Sequence, residues 1–194
     1  MTRSARASLI GLFAVYLVLL VWAILWKLGV PYVGGSPDPV KLVPFVSTDT
    51  FGPSAPREVA ANVALFVPFG LYLGLLAPTW SWWKSAAVVA GASLALEVAQ
   101  SVLAVGAPDV SDVVANTAGS LVGIGALALA RRWNPSRTLT VMARACAIGT
   151  GLAVVAVGTF LASPLHHAPP QDVGPLRWLI PSGDQGWSLS PSGR

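Results

Sequence analysis

The sequence predicts an all-α, polytopic membrane helix bundle of about five transmembrane helices, with the N-terminus inside and the C-terminus outside. Three observations carry this expectation. The 194 residues are 54% hydrophobic and only 10% charged, against roughly 25% charged in a soluble domain, and the mean hydropathy is +0.67. The apolar residues gather in long stretches, each near the roughly 20 residues that cross a hydrocarbon core as a helix. The twelve Lys and Arg are split unevenly between the connections, which in a membrane protein reports orientation. This composition excludes an ordinary soluble domain and a disordered chain. Despite a pI near 9.7, it also excludes a nucleic-acid partner. A single cysteine, Cys146, excludes a disulfide framework and a Cys-based metal site.

The first stretch, residues 8–26, lies in an anchor segment 1–29 that opens with Arg3 and Arg6. Its apolar run is longer than a signal-peptide core and ends in Trp22, Ile24 and Trp26 without a small-residue cleavage site, so it reads as a retained helix. Residues 30–57 are rich in Pro, Gly and Ser and read as an extracytoplasmic loop. Spans at 59–77, 85–105 and 110–130 make a three-helix core, 58–132. A cytoplasmic linker and a fifth span at 141–161 occupy 133–163, and 164–194 reads as a flexible extracytoplasmic tail.

Charge fixes the expected orientation. With the N-terminus inside, the cytoplasmic positions hold Arg3, Arg6, Lys84, Arg131, Arg132, Arg137 and Arg144, and no acid. The opposite positions hold Lys27, Lys41, Arg57, Arg177 and Arg194 against Asp38, Asp49, Glu58, Asp109, Asp112, Asp172 and Asp184. Tryptophans at 22, 26, 80, 82, 83 and 133 fall where interfacial belts form. The expected location is the cell membrane, as a multi-pass protein whose first partner is the lipid bilayer.

Polar side chains inside these spans need a reason, because burial without a partner costs several kcal/mol. On the third span Ala86, Ala90, Ser93, Glu97, Gln100 and Ala104 fall on one narrow stripe, small or polar throughout. On the fourth, Asp112, Asn116, Gly119 and Gly123 align, and the two glycines form a small-xxx-small pair suited to close helix approach. Only Gly106-Ala107-Pro108 joins these spans, which predicts an antiparallel hairpin with the stripes facing. Asp109 after Pro108 suits a helix start. Glu97 lies roughly 12 Å and Asn116 roughly 8 Å below the outer helix ends at 1.5 Å per residue. The second span adds Asn62 in its first turns, followed by Pro68, which removes a helix hydrogen bond and is expected to bend the helix, opening space beside Asn62. An outward-opening pocket of Asn62, Glu97, Gln100, Asp109, Asp112 and Asn116 is therefore expected. Pro68, Gly70, Gly119 and Gly123 are read as helix-packing positions. The bland alternative is that Asn62 and Gln100 act as interhelical glue and Asp109 as an N-cap. Glu97 resists that reading, since a carboxylate inside a span points to function by default.

The order of four segments resembles the VanZ-like membrane protein family. They are Leu42-Val43-Pro44-Phe45, then Asn62 through Gly70 (Asn-Val-Ala-Leu-Phe-Val-Pro-Phe-Gly), then Glu97-Val98-Ala99-Gln100, then Asp109 through Gly119 (Asp-Val-Ser-Asp-Val-Val-Ala-Asn-Thr-Ala-Gly). The resemblance spans residues 41–130. It implies a small multi-helix protein of the bacterial envelope and a theme, resistance to the glycopeptide teicoplanin, more than a reaction. Pro44, Asn62, Phe66, Pro68, Gly70, Glu97, Gln100, Asp109, Asp112, Asn116 and Gly119 carry over as matching positions. One position departs: Gly106 stands where the family has an Arg, three residues before Asp109. Arg57 is the spatial substitute to examine.

Other features point to no chemistry. His166 and His167 lack further ligands for a metal site. Pro181-Ser182-Gly183-Asp184 is similar to a phosphatase motif without its His and basic partners. No nucleophile elbow, metalloprotease helix or phosphate-cradling loop is present, so no catalytic residue, metal or cofactor is assigned. Gly149, Gly151 and Gly158 read as packing positions, and Cys146 as a small packing residue. Three functions stay open: a pocket binding a lipid-linked cell-wall precursor or an amphiphilic antibiotic; an intramembrane enzyme using Glu97, Asp109 and Asp112, alone or around a divalent cation; or a transporter or accessory subunit. The last would work with a membrane partner or as a homo-oligomer through the Gly119/Gly123 face.

Overall fold

In a computed structural model, described over residues 2–25, 40–47, 52–103 and 107–162, the chain forms five helices: α1 (Arg3–Leu25), α2 (Pro56–Leu76), α3 (Trp82–Val102), α4 (Val110–Trp133) and α5 (Pro135–Ala162). Each is long and apolar enough to cross a membrane. Among the described residues no strand forms, only an isolated bridge between Lys41 and Asp109. Residues 1–158 make one compact unit, and of a second, Thr159–Arg194, only 159–162 are described. The expectations at His166, His167 and 181–184 lie outside the described residues.

The helices overrun the apolar stretches that announce them. α1 starts at Arg3 rather than at residue 8, and α3 at Trp82 rather than 85. The linker expected after the fourth span shrinks to Asn134, because α4 runs on through Arg131 and Arg132 and α5 starts at Pro135. The physical reason is that arginines end an apolar run but not a helix. Arg132 is exposed, the Arg131 guanidinium bonds the Gly74 carbonyl, and at a helix C-terminus both favour the dipole. Proline is cheap at a first helical position, where its missing donor has no partner to lose, and it opens both α2 and α5. The Asn134 side-chain oxygen accepts from the Arg137 amide at 3.2 Å, an N-cap bond for α5.

The tightest packing joins α2 to α4. A Cβ added at Gly70 would lie 1.9 Å from the Ser120 carbonyl oxygen, one at Gly119 2.2 Å from that of Val63, and one at Gly123 2.2 Å from that of Val67. Glycine is required here because two backbones touch. The alternative of a homo-oligomer through the Gly119/Gly123 face is corrected by this contact: that face is filled by α2 of the same chain. At Gly149, Gly151 and Gly158, read as packing positions, a Cβ meets nothing within 4 Å among the described residues.

α1 packs on α2 through rings. Phe13 stacks on Tyr72 at 5.1 Å between centroids and meets Phe69 edge-on at 5.3 Å. α2 continues through Pro68 as one helix. Hydroxyls from neighbouring helices bond the turn just before the proline: Tyr16 donates to the Leu65 carbonyl at 2.6 Å and Ser120 to that of Phe66 at 3.2 Å, which ties α1 and α4 to α2 beside the Ala64 carbonyl that Pro68 leaves without its helical donor. α5 is held by less. The buried Tyr72 hydroxyl donates to the Cys146 carbonyl at 3.2 Å and shares a 2.8 Å bond with the Thr150 hydroxyl.

Candidate functional site

The starts of α2 and α4 meet the end of α3 and the last turn of α1 around a cavity of about 320 Å³. Five of the six expected pocket residues line it: Asn62 from α2, Glu97 and Gln100 from α3, Asp112 and Asn116 from α4. Glu58 adds a further carboxylate, and Ala23, Ile24, Leu65 and Leu96 form an apolar wall.

The hydrogen bonds explain why these side chains converge. The Glu97 carboxylate accepts the Asp109 backbone amide at 2.9 Å, so it takes up one of the orphan donors at the start of α4 and closes the α3–α4 hairpin. Gln100 donates to the Ile24 carbonyl at 3.3 Å, tying α1 to the same end. Asn116 donates through Nδ2 to the Ser93 hydroxyl at 2.8 Å. Its other polar atom, Oδ1, is buried with no hydrogen-bond partner among the described residues, in a side chain that is 3% exposed. Asp112 lines the same cavity as Asn62, Glu58 and Glu97. Among the described residues no Lys or Arg lines the cavity. Its polar lining is therefore rich in acceptors.

Asp109 is brought elsewhere. It does not line the cavity and belongs to a second, adjoining network built on the segment 40–47. Lys41 pairs with the start of α4 through its backbone: its amide donates to the Pro108 carbonyl at 2.9 Å, and its carbonyl accepts from Val110 at 3.1 Å. The buried Lys41 ammonium lies 3.4 Å from the Asp109 carboxylate and donates to the Ser54 hydroxyl at 2.8 Å and the Gly52 carbonyl at 3.0 Å. Asp109 also accepts the Ser111 amide at 2.7 Å, as the N-cap of α4. Burial works to raise the Asp109 carboxyl, but the Ser111 bonds and the Lys41 charge outweigh it and hold the group below the usual carboxylate range. Phe45, at φ 64°, is in a conformation uncommon for a side chain of its size. Its amide donates to the Ser111 hydroxyl at 2.9 Å.

The cation beside Asp109 is thus Lys41, and Arg57, considered as a substitute for the missing family arginine, is exposed on α2. Gly106 lies outside the described residues. Among the described residues no three His, Cys, Asp or Glu gather closely enough to hold a metal ion, so Glu97, Asp109 and Asp112 do not form the cation site considered from sequence. Lys41, Ser54, Glu58, Ser93 and Ser111 join the site although sequence reasoning did not select them. Ser93 stood on the polar stripe of its span and Glu58 falls one helical turn before Asn62 on the same side, so these two gave usable signals. Lys41 and Ser54 sit in a loop far from α4 in sequence, and no periodicity reaches across that separation.

Fold and site together define a multi-pass α-helical membrane protein with a polar cavity set into its bundle. The chain belongs to the VanZ/LLP1 family, whose match covers residues 13–131. It is 36% identical over 117 residues to Protein VanZ of Enterococcus faecium, covering 59% of this chain and 70% of that protein. No solved structure matches. The family segment begins inside α1, ahead of the motifs that carry the resemblance. That agrees with α1 supplying Phe13 and Tyr16 to the core and Ala23 and Ile24 to the cavity wall.

Proposed function

We propose that this protein is a binding protein of the bacterial envelope. Its intramembrane cavity holds the head of an amphiphilic or lipid-anchored envelope ligand, and through that it contributes to resistance against teicoplanin-type glycopeptides. The observation that carries this reading is Asn116 Oδ1, a buried acceptor left without a partner in a cavity that three carboxylates line. An unsatisfied buried polar atom costs roughly 1–3 kcal/mol, and a ligand that donates to it recovers that cost. The apolar wall from α1 and α2 favours a ligand with a hydrocarbon or aromatic portion. The acceptors that line the cavity among the described residues favour a head rich in hydroxyl, amide or ammonium donors. The distribution of basic residues supports an N-terminus inside and a cavity in the outer half of the bilayer. Membership of the VanZ/LLP1 family supports the glycopeptide theme.

The test is complementation. A deletion strain is profiled against teicoplanin and other envelope-active agents, then complemented with the parent gene or with Asn116→Leu, Asp112→Asn or Glu97→Gln. The parent restores tolerance, while Asn116→Leu, which removes the acceptor and fills the cavity, does not. Full restoration by Asn116→Leu and Asp112→Asn at parental membrane levels overturns the reading.

A further inference from the structure

We propose that the end of the bundle opposite the polar cavity binds an acidic phospholipid, with its phosphate held between Arg6 and Arg131. The two ends are well separated, since Asn62 and Leu76 on α2 are 14 residues apart, roughly 21 Å along the helix. At the second end α1, α2, α4 and α5 enclose a cleft of about 500 Å³ lined by both arginines and by Leu75, Leu76 and Leu139. The Arg131 guanidinium donates to the Gly74 carbonyl at 2.9 Å, which fixes it in the wall and leaves donors free, because guanidinium carries five N–H groups. Arg6 also lines an adjoining cleft of about 550 Å³ that runs past Leu73 and Phe13 to Trp80. Phe13 is seven residues along α1 from Arg6, roughly 10 Å deeper in the bilayer. A cleft with both arginines thus adjoins an apolar one that reaches inward as far as Phe13 and Leu73, room for the first part of an acyl chain.

Charge identifies the occupant. The four described acids, Glu58, Glu97, Asp109 and Asp112, all belong to the polar-cavity end. The seven basic side chains of this end therefore face no carboxylate among the described residues. A phosphate diester supplies the missing charge, and guanidinium groups bind it with paired N–H donors. Basic pockets between helices at a membrane surface recognise acidic headgroups in this way. A zwitterionic lipid brings its own cation into a field that is already positive, which disfavours it.

The full-length protein in detergent is incubated with phosphatidylglycerol or phosphatidylcholine, and retained lipid is counted by native mass spectrometry. Phosphatidylglycerol is retained in preference to phosphatidylcholine, and Arg6→Gln weakens its retention about fivefold, the equivalent of about 1 kcal/mol per basic residue. Arg132→Gln, exposed and lining neither cleft, retains lipid like the parent, and excess glycerol phosphate does not displace the lipid. Arg131→Gln also loses the Gly74 bond, so Arg6→Gln carries the test. Parental retention by Arg6→Gln, an equal loss in Arg132→Gln, equal retention of phosphatidylcholine, or displacement by glycerol phosphate would each overturn the site.

Discussion

The α2–α4 seam and α5 both carry glycines in apolar helices, yet only in the seam do the glycines bring two backbones together. Gly119 and Gly123 are four residues apart, on one face, and meet the backbone at Val63 and Val67 on α2, while Gly70 meets Ser120. Both helices thus offer a narrow groove at the same level. Gly149 and Gly151 are two residues apart, about 200° around a helix of 3.6 residues per turn, so they share no face. They border open space. What makes a glycine a packing residue is its register with a second small stripe on another helix. The seam then sets the geometry of the site, because Asn62 and Asn116 lie on the two helices it joins.

The sharpest way to break this contrast is Gly119→Val. Its side chain would enter the space occupied by the Val63 carbonyl, and neither backbone can yield without separating α2 from α4. Overpacking of an ordinary core costs typically about 1–3 kcal/mol; with backbone on both sides the loss lies at or above the top of that range. Thermal unfolding of the purified protein in detergent measures it. Parental stability in this variant would mean that the seam does not form.

A second break targets the strap that caps the start of α4. Lys41→Met leaves the Asp109 carboxylate without its cation. Removing one partner of a fully buried pair costs roughly 3–5 kcal/mol; here the Asp109 side chain keeps 20% exposure, so a loss of roughly 2 kcal/mol is expected. The same pair responds to acid. Because the folded protein depresses the Asp109 carboxyl, its contribution is present above the unfolded carboxylate range and is lost as pH falls through the lower folded value. Amide exchange across residues 40–47 therefore accelerates in acid in the parent, and Asp109→Asn flattens that dependence. A strap equally protected at acid and neutral pH would detach Asp109 from its role.

Sequence and structure agree where a signal is periodic or local. Five apolar stretches give the five helices, the stripe of Ser93, Glu97 and Gln100 turns inward, and Asp109 after Pro108 starts α4. They part where contact is long-range. The glycines of α4 and the carboxylate of Glu97 both look toward the α3–α4 hairpin in sequence. In the fold Glu97 does close that hairpin through the Asp109 amide, but the glycines face α2. Asp109 reads as a pocket carboxylate because it lies three residues before Asp112, yet its N-cap geometry turns it toward Lys41 and Ser54. Lys41 counts in sequence only as a loop charge; its burial follows from pairing with a backbone stretch that no local pattern specifies.

A smaller effect probes how α5 is held. Tyr72→Phe keeps the ring against Phe13 and removes the hydroxyl shared with Cys146 and Thr150. A net hydrogen bond is worth about 1 kcal/mol. The expected result is a loss of that order in global unfolding, with faster amide exchange in α5 around residues 146–150 and little change in α2 and α4. Equal acceleration in all three helices would mean that α5 is part of the same cooperative core as the seam.

The smallest effect is the one that most directly tests the contrast between the two sets of glycines. Gly149→Ala and Gly151→Ala each place a methyl group where nothing lies within 4 Å, so neither steric strain nor a lost contact opposes the change. Alanine in a helix interior is favoured over glycine by up to about 1 kcal/mol, because glycine gives up more backbone freedom on folding. Both variants should therefore match or slightly exceed the parent in thermal unfolding, and their double variant should be additive, whereas Gly123→Ala in the seam destabilises. If Gly149→Ala or Gly151→Ala destabilises in native membranes but not in detergent, this flank of α5 is covered by another helix in the membrane, and the difference between the two regions would lie in what covers them.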